Sequence, residues 1–183
     1  MSDPVLTSSP TISPLTLDDH VLGAPEPRVT LVEYAEFECP HCGRAHFQLK
    51  RARHDFEDLG VRFAFRHLAR DEVHPFSVRA AVAAEAAGVQ GRFWEMHDRL
   101  FENQHSLGYD DLERHALAVG LDVETFMEDM RDERHLEVVN RQGREALAAG
   151  VAKTPSFFLD GNPYEGSYEW TALRDAIESI SSS

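Results

Sequence analysis

The chain has 183 residues, 42% of them hydrophobic and 27% charged, with a formal net charge of -14. That length suits one domain, or one domain carrying a sizeable insertion, with enough apolar residues for a buried core. The acidic balance argues against nucleic acid, which needs clustered Lys and Arg, and no apolar run reaches the length of a membrane span.

Met1 to Thr16 is rich in Ser, Thr and Pro, and residues 1–17 are expected to form a disordered lead. This lead lacks a basic n-region and an apolar h-region, so the expected location is cytoplasmic, or exported if a leader is removed. Gly23, Pro25 and Pro27 mark a turn within 18–27. Val29 to Ala35 is β-branched and apolar enough for a buried strand, interrupted by the carboxylate of Glu33. Pro40 suits a helix start, and Ala45, Phe47, Leu49, Ala52, Phe56 and Leu59 give a helical stripe that Gly60 closes. Val61 to Leu68 reads as a second strand, completing a βαβ unit with a right-handed crossover.

Between Asp71 and Gly150 the pattern is helical. Pro75 opens one helix that runs to Gly88, and Arg92 to Asn103 carries a second. Asp110 and Asp122 are placed to cap two more, and His135 to Ala149 forms the last. Strand signals return at Ser156 to Leu159, turn at Asp160-Gly161-Asn162, and continue from Pro163 to Ser167. Trp170, Leu173, Ala176, Ile177 and Ile180 mark a final amphipathic helix. The expected division is 18–70 with 151–183 as one domain and 71–150 as a helical insertion.

Both cysteines of the chain, Cys39 and Cys42, lie in Cys-Pro-His-Cys between the first strand and the first helix. A bond between them would close a tiny loop that cross-links nothing distant, so the pair reads as a redox-active centre, not a staple. Cys39 at the helix start faces free N–H groups and the positive end of the dipole, which favours its thiolate. His41 could donate a hydrogen bond or carry positive charge there, and Pro40 stiffens the turn. Cys42, one turn inward, becomes the shielded resolving thiol. Glu36 and Glu38 oppose the thiolate and are expected to face solvent, where screening weakens them. Glu33 is placed to accept the Cys42 proton; the plainer alternative has it pointing outward or paired with an arginine.

Cys-Pro-His-Cys after an apolar strand, an all-helical stretch, and Thr154-Pro155 before a hairpin together resemble the DsbA-like branch of the thioredoxin superfamily. The resemblance covers about residues 18–180. It implies a thioredoxin-like α/β fold with an inserted all-helical domain, a nucleophilic Cys39, a resolving Cys42, and a cis Thr154–Pro155 bond packed against them. Glu33 matches the buried acidic position of many thioredoxin-like proteins. Pro40, Thr154 and Pro155 would then line the substrate side, where the Thr154 backbone could pair with a peptide as an added strand. Lys153 departs from the pattern, which leads one to expect a small residue there; a cation beside the site would favour the Cys39 thiolate and partly offset Glu38, and the plain alternative is a solvated lysine stem.

The expected activity is protein thiol-disulfide oxidoreduction through a mixed disulfide, in the oxidising direction. Partners would be protein or peptide thiols and disulfides, glutathione, or a redox partner protein. The rivals are a cytosolic reductase or isomerase, and a peptide- or glutathione-binding module with little turnover. No cofactor is implied. Cys39, Cys42 and His46 could share a helix face at metal-compatible spacing, but no fourth ligand is evident in the sequence, so no metal is expected.

Overall fold

The computed structural model of the chain describes residues 11–181. Five strands, β1 (His20–Gly23), β2 (Val29–Ala35), β3 (Val61–His67), β4 (Ser156–Leu159) and β5 (Asn162–Tyr164), form one sheet in the order β1-β3-β2-β4-β5. β2 and β3 run parallel, from Val29 beside Val61 to Ala35 beside His67, joined by α1 (Pro40–Ala52). β4 lies antiparallel on β2, with Ser156 beside Tyr34, and β5 returns along β4. Between β3 and β4 come α2 (Ser77–Val89), α3 (Phe93–Glu102), α4 (Tyr109–Ala118), α5 (Val123–Asp129) and α6 (Glu133–Ala148); α7 (Trp170–Ser181) follows the hairpin.

β2 is apolar along almost its whole length because both its faces are covered. Leu31 joins Ala45, Leu49, Leu173 and Ile177 beneath α1 and α7, while Val32 and Tyr34 join Ala146, Val151 and Phe158 on the opposite face. The alternation of a strand therefore puts Glu33 on the α1 side with Leu31. A third cluster runs from Met96, Leu100, Leu112 and Phe126 through the buried alanines of α2 to Ala35, Phe37, Cys39 and Cys42. The helical block thus packs directly over the cysteine pair.

Several elements differ from the sequence reading. β1 falls within 18–27, read as a turn; its four residues pair antiparallel with the edge of β3, which supplies the ladder that their own composition does not signal. α1 ends at Ala52 and passes into a 3-10 turn at Arg53–Asp55. Phe47 is 51% exposed, so the buried stripe of α1 is Cys42, Ala45, His46, Leu49 and Ala52, and Phe56 enters the core from beyond the helix. α2 begins at Ser77 instead of Pro75. α4 is capped from Gly108, whose N–H bonds the Asp111 carboxylate, leaving Asp110 inside the first turn.

Of the lead expected to be disordered, residues 1–10 lie outside the described part of the chain, but residues 11–17 are tied to the sheet. Ile12 is buried and its N–H bonds Gly161 O at 3.2 Å. The buried guanidinium of Arg66 gathers the Ser13 and Pro14 carbonyls and the Asp19 carboxylate, at 2.7 to 3.0 Å. A buried cation needs such a full set of acceptors; the lead provides two of the five bonds, Asp19 two and Tyr34 Oη the other.

Candidate active site

Cys39 is the N-cap of α1, with Pro40 in the first turn, where a missing N–H costs nothing. Cys39 is 5% exposed, Cys42 is fully buried, and both are free thiols. The hydrogen bond from Cys42 draws the Cys39 thiol down to about 5 against the cost of burial, with help from the backbone N–H groups of Cys42 and His41 and from Thr154. Burial pushes the Cys42 thiol well above its ordinary value, and the neighbouring Cys39 and Glu33 push it further. The two sulfurs are therefore chemically unequal: one is a stable anion and leaving group, the other a thiol that holds its proton.

Glu33 points inward, towards α1. It is 1% exposed and its Oε1 has no hydrogen-bond partner. Burial raises its carboxyl to about 8, against the pull of Arg53 and with the Cys39 thiolate adding to the rise. Neither plain alternative holds: Arg53 hydrogen-bonds Asp98 instead, at 2.6 and 2.8 Å.

His41 is exposed, and its Nδ1 accepts a hydrogen bond from Arg44 at 2.8 Å, while Arg44 Nε bonds Tyr168 Oη at 3.2 Å. A guanidinium only donates, so Nδ1 holds a lone pair and the ring proton sits on Nε2. The positive charge that the sequence offered to His41 is carried here by Arg44.

The Thr154–Pro155 peptide is cis, and the Thr154 carbonyl oxygen lies 3.7 Å from Cys39 Sγ. Lys153 is exposed, and its backbone carbonyl accepts from Ser156 Oγ at 2.7 Å.

The largest departure from expectation is Glu36. Far from facing solvent, it is 1% exposed. Its Oε2 accepts from Ser77 Oγ at 2.7 Å, its Oε1 accepts from Thr154 Oγ1 at 3.1 Å, and His74 Nδ1 lies 3.0 Å from Oε1. Glu38 is half-buried and accepts from the Phe76 N–H at 2.7 Å. Gln104 binds the carbonyls of Phe37 and Cys39 at 2.7 and 2.8 Å, fixing the turn that carries the first cysteine. Glu38, Pro40, His74, Phe76, Gln104 and Leu107 line a cleft of about 420 Å³ beside the helix start. No sequence pattern marks Gln104, and Glu36 carries only the faint signal of an acid in a turn between buried residues.

His46 does not join the cysteines as a cluster; its neighbours are His97 and Asp98, with one ligand atom from each within 4.8 Å of the others. Asp98 is already held by Arg53 on two bonds and by Lys50 at 3.2 Å. Burial holds the two imidazoles neutral, at about 3 for His46 and about 4 for His97. Two cations on the one carboxylate make this group an ion-pair network and a poor seat for a metal.

Comparison with known proteins agrees with this fold. A thioredoxin-like oxidoreductase from Silicibacter pomeroyi superposes with a TM-score of 0.81 at 29% identity, over 92% of this chain and 95% of that one. Oxidised BdbD from Bacillus subtilis gives 0.84 at 22% identity over 96% and 99%, and the thiol-disulfide exchange protein alpha-DsbA2 from Wolbachia pipientis gives 0.79 at 18% over 90% and 88%. Among curated proteins, the Na(+)/H(+) antiporter NhaA 3 of Salinispora tropica is 42% identical over 161 residues, which are 88% of this chain and 24% of the antiporter. NhaA of Herminiimonas arsenicoxydans is 38% identical over 160 residues, 87% of this chain and 25% of the antiporter. The chain spans about a quarter of the length of these curated relatives. Among the described residues no helix is long and apolar enough to cross a membrane.

A thioredoxin-like sheet, a helical block between β3 and β4, and a pair of free thiols at a helix start give the architecture shared with the thioredoxin-like oxidoreductase from Silicibacter pomeroyi. The chain belongs to the thioredoxin family, whose sequence model matches residues 15–179.

Proposed function

We propose that the chain oxidises dithiols in polypeptide substrates, with Cys39 as the exchanging sulfur and Cys42 as its resolving partner. Residues 18–70 and 151–183 carry the pair, and residues 71–150 form the inserted unit that covers it. The observation that carries the reading is the inequality of the two thiols, Cys39 drawn down to about 5 and Cys42 pushed up.

In the oxidised form a substrate thiolate attacks Cys39 Sγ. The Cys39–Cys42 bond breaks, a mixed disulfide forms, and the Cys42 sulfur leaves with the electron pair. Glu33, protonated at neutral pH with its carboxyl at about 8, supplies the proton that Cys42 takes up. A second substrate thiolate then attacks the substrate sulfur of the mixed disulfide, and Cys39 leaves as a stable thiolate. The substrate has lost two electrons and the pair has gained them. Run backwards, ionised Glu33 takes the Cys42 proton as that sulfur attacks Cys39. Thr154 and Pro155, with Pro40 opposite, present the substrate backbone beside the sulfur.

A good leaving group makes a strong oxidant. At pH 7 a thiol ionising near 5 stabilises the reduced form by about 2–3 kcal/mol, or roughly 60 mV for a two-electron couple, before solvent screening trims it. Equilibration with glutathione should therefore give a potential about 60 mV above the roughly -270 mV of thioredoxin, at about -210 mV or higher. Cys39→Ser should abolish exchange, and Cys42→Ser should accumulate the mixed disulfide. A potential near -270 mV, or full activity of both variants, overturns the reading.

A further inference from the structure

We propose that Glu36 is a positioning residue for substrate presentation: its buried carboxylate fixes the Thr154 side chain and so presets the backbone edge that a polypeptide meets at Cys39. The inference rests on the function proposed above and adds to it a residue outside the Cys-Pro-His-Cys motif.

Burying a carboxylate costs several kcal/mol unless donors surround it, so the donors that Glu36 has gathered indicate what holds it there. They come from two separate parts of the chain. Ser77 Oγ belongs to the start of α2, with His74 Nδ1 3.0 Å away in the loop before it but making no hydrogen bond, and Thr154 Oγ1 belongs to the loop before β4. Glu36 stands three residues before Cys39, and its own carbonyl accepts the Cys39 N–H at 3.3 Å. One residue thus sets both walls of the reaction site: its backbone braces the turn that carries the nucleophile, and its side chain braces the loop whose carbonyl lies 3.7 Å from the sulfur.

At pH 8 the Cys39 thiolate is formed with or without the help of Thr154, so a brace of this kind leaves attack by the bare sulfur unchanged there. It lowers the cost of ordering the loop when a peptide pairs with it. The consequence separates two measurements: exchange with a peptide depends on Glu36, and attack on a small reagent that touches only sulfur does not. A carboxylate that merely pins α2 to β2 would leave the ratio of the two rates unchanged.

The experiment uses the full chain. Exchange of its disulfide with a reduced cysteine-containing peptide is timed alongside alkylation of reduced Cys39 by iodoacetamide at pH 8, where the thiolate is fully formed. Glu36→Ala should slow peptide exchange about tenfold, the loss of one hydrogen bond to a charged group, with alkylation within about twofold of wild type. Glu36→Gln keeps an acceptor for Thr154 and should recover most of the peptide rate. Where Glu36→Ala does not fold, Thr154→Val decides, because it removes the hydroxyl at nearly constant volume and should lower peptide exchange by a similar factor. Peptide exchange at the wild-type rate in the deciding variant, or an equal fall in both rates, overturns the inference. A wild-type protein that does not exchange with the peptide overturns the proposed function and this inference together.

Discussion

Replacing Glu33 by Gln tests the buried carboxyl through stability as well as kinetics. In the folded chain Glu33 gives up its proton near 8, against an ordinary value of 4.5. Its folded value lies above its unfolded one, so between those values the native state keeps a proton that the unfolded chain releases. Native stability therefore falls as pH rises from about 4.5 to about 8. Each unit is worth about 1.36 kcal/mol, so Glu33 costs about 3 kcal/mol at pH 7 and almost nothing at pH 4. Cys39 has the opposite slope, because its folded thiol is the more acidic, and the reduced wild type gains stability through it from about pH 5 upward. The two slopes nearly cancel in the wild-type profile, so the test is the difference between Glu33→Gln and wild type. Urea unfolding of both reduced proteins at pH 4.5, 6 and 7.5 should show the variant gaining steadily with pH, by about 3 kcal/mol over the range. A buried amide adds a constant offset without changing this slope. A difference that does not move with pH refutes the buried, proton-holding Glu33. The same variant should resolve its mixed disulfide slowly, since Cys42 loses its proton partner.

Two further perturbations examine the surroundings of the site. Arg44→Met removes the cation and donor on His41 Nδ1, and should slow alkylation of Cys39 at pH 5 about two- to fivefold, with Arg44→Lys keeping most of the rate; an unchanged rate would remove Arg44 from the account of the thiolate. Glu85 sits between His20 and His67 at 2.9 to 3.2 Å, its carboxyl held down at about 2 by those two rings despite its burial. Glu85→Gln should cost roughly 2–3 kcal/mol at pH 7. That loss should shrink as pH falls from about 4.5 towards 2, because a depressed carboxyl contributes stability only above its unfolded value. Equal unfolding midpoints for variant and wild type at pH 7 would mean that the two histidines do not depend on Glu85.

Much of this architecture was legible in the residues because it is locally encoded. The apolar run at Val29–Ala35, Pro40 at the helix start and Gly-punctuated helices from 71 to 150 each announce themselves within a few residues. So does the Asp160-Gly161 turn, where both residues have positive φ, at 49° and 79°, a conformation Gly adopts without cost and Asp tolerates. β1 was missed because four residues at a sheet edge owe their conformation to β3 and not to their own pattern. Glu36 was misread for a related reason. Its burial follows from Ser77, 41 residues away, and Thr154, 118 residues away, both converging on it, and no window of sequence contains all three. Arg44 beside His41 was missed because it is oriented by Tyr168, 124 residues away.

The wide separation of the parts that meet at Cys39 has a consequence for the protein's synthesis. Cys39 and Cys42 are made before the strand that closes over them, β4, which follows more than a hundred residues later and pairs directly with β2. Until then Glu33 is an ordinary solvated acid, Cys42 is an accessible thiol, and Glu36 has no Thr154 to hold. The tetrapeptide supplies most of the donors that favour the Cys39 thiolate, and the finished fold supplies the burial that raises Cys42 and so completes the inequality. A half-made chain carries the motif without its burial, and the reactive centre is complete only when β4, β5 and α7 dock.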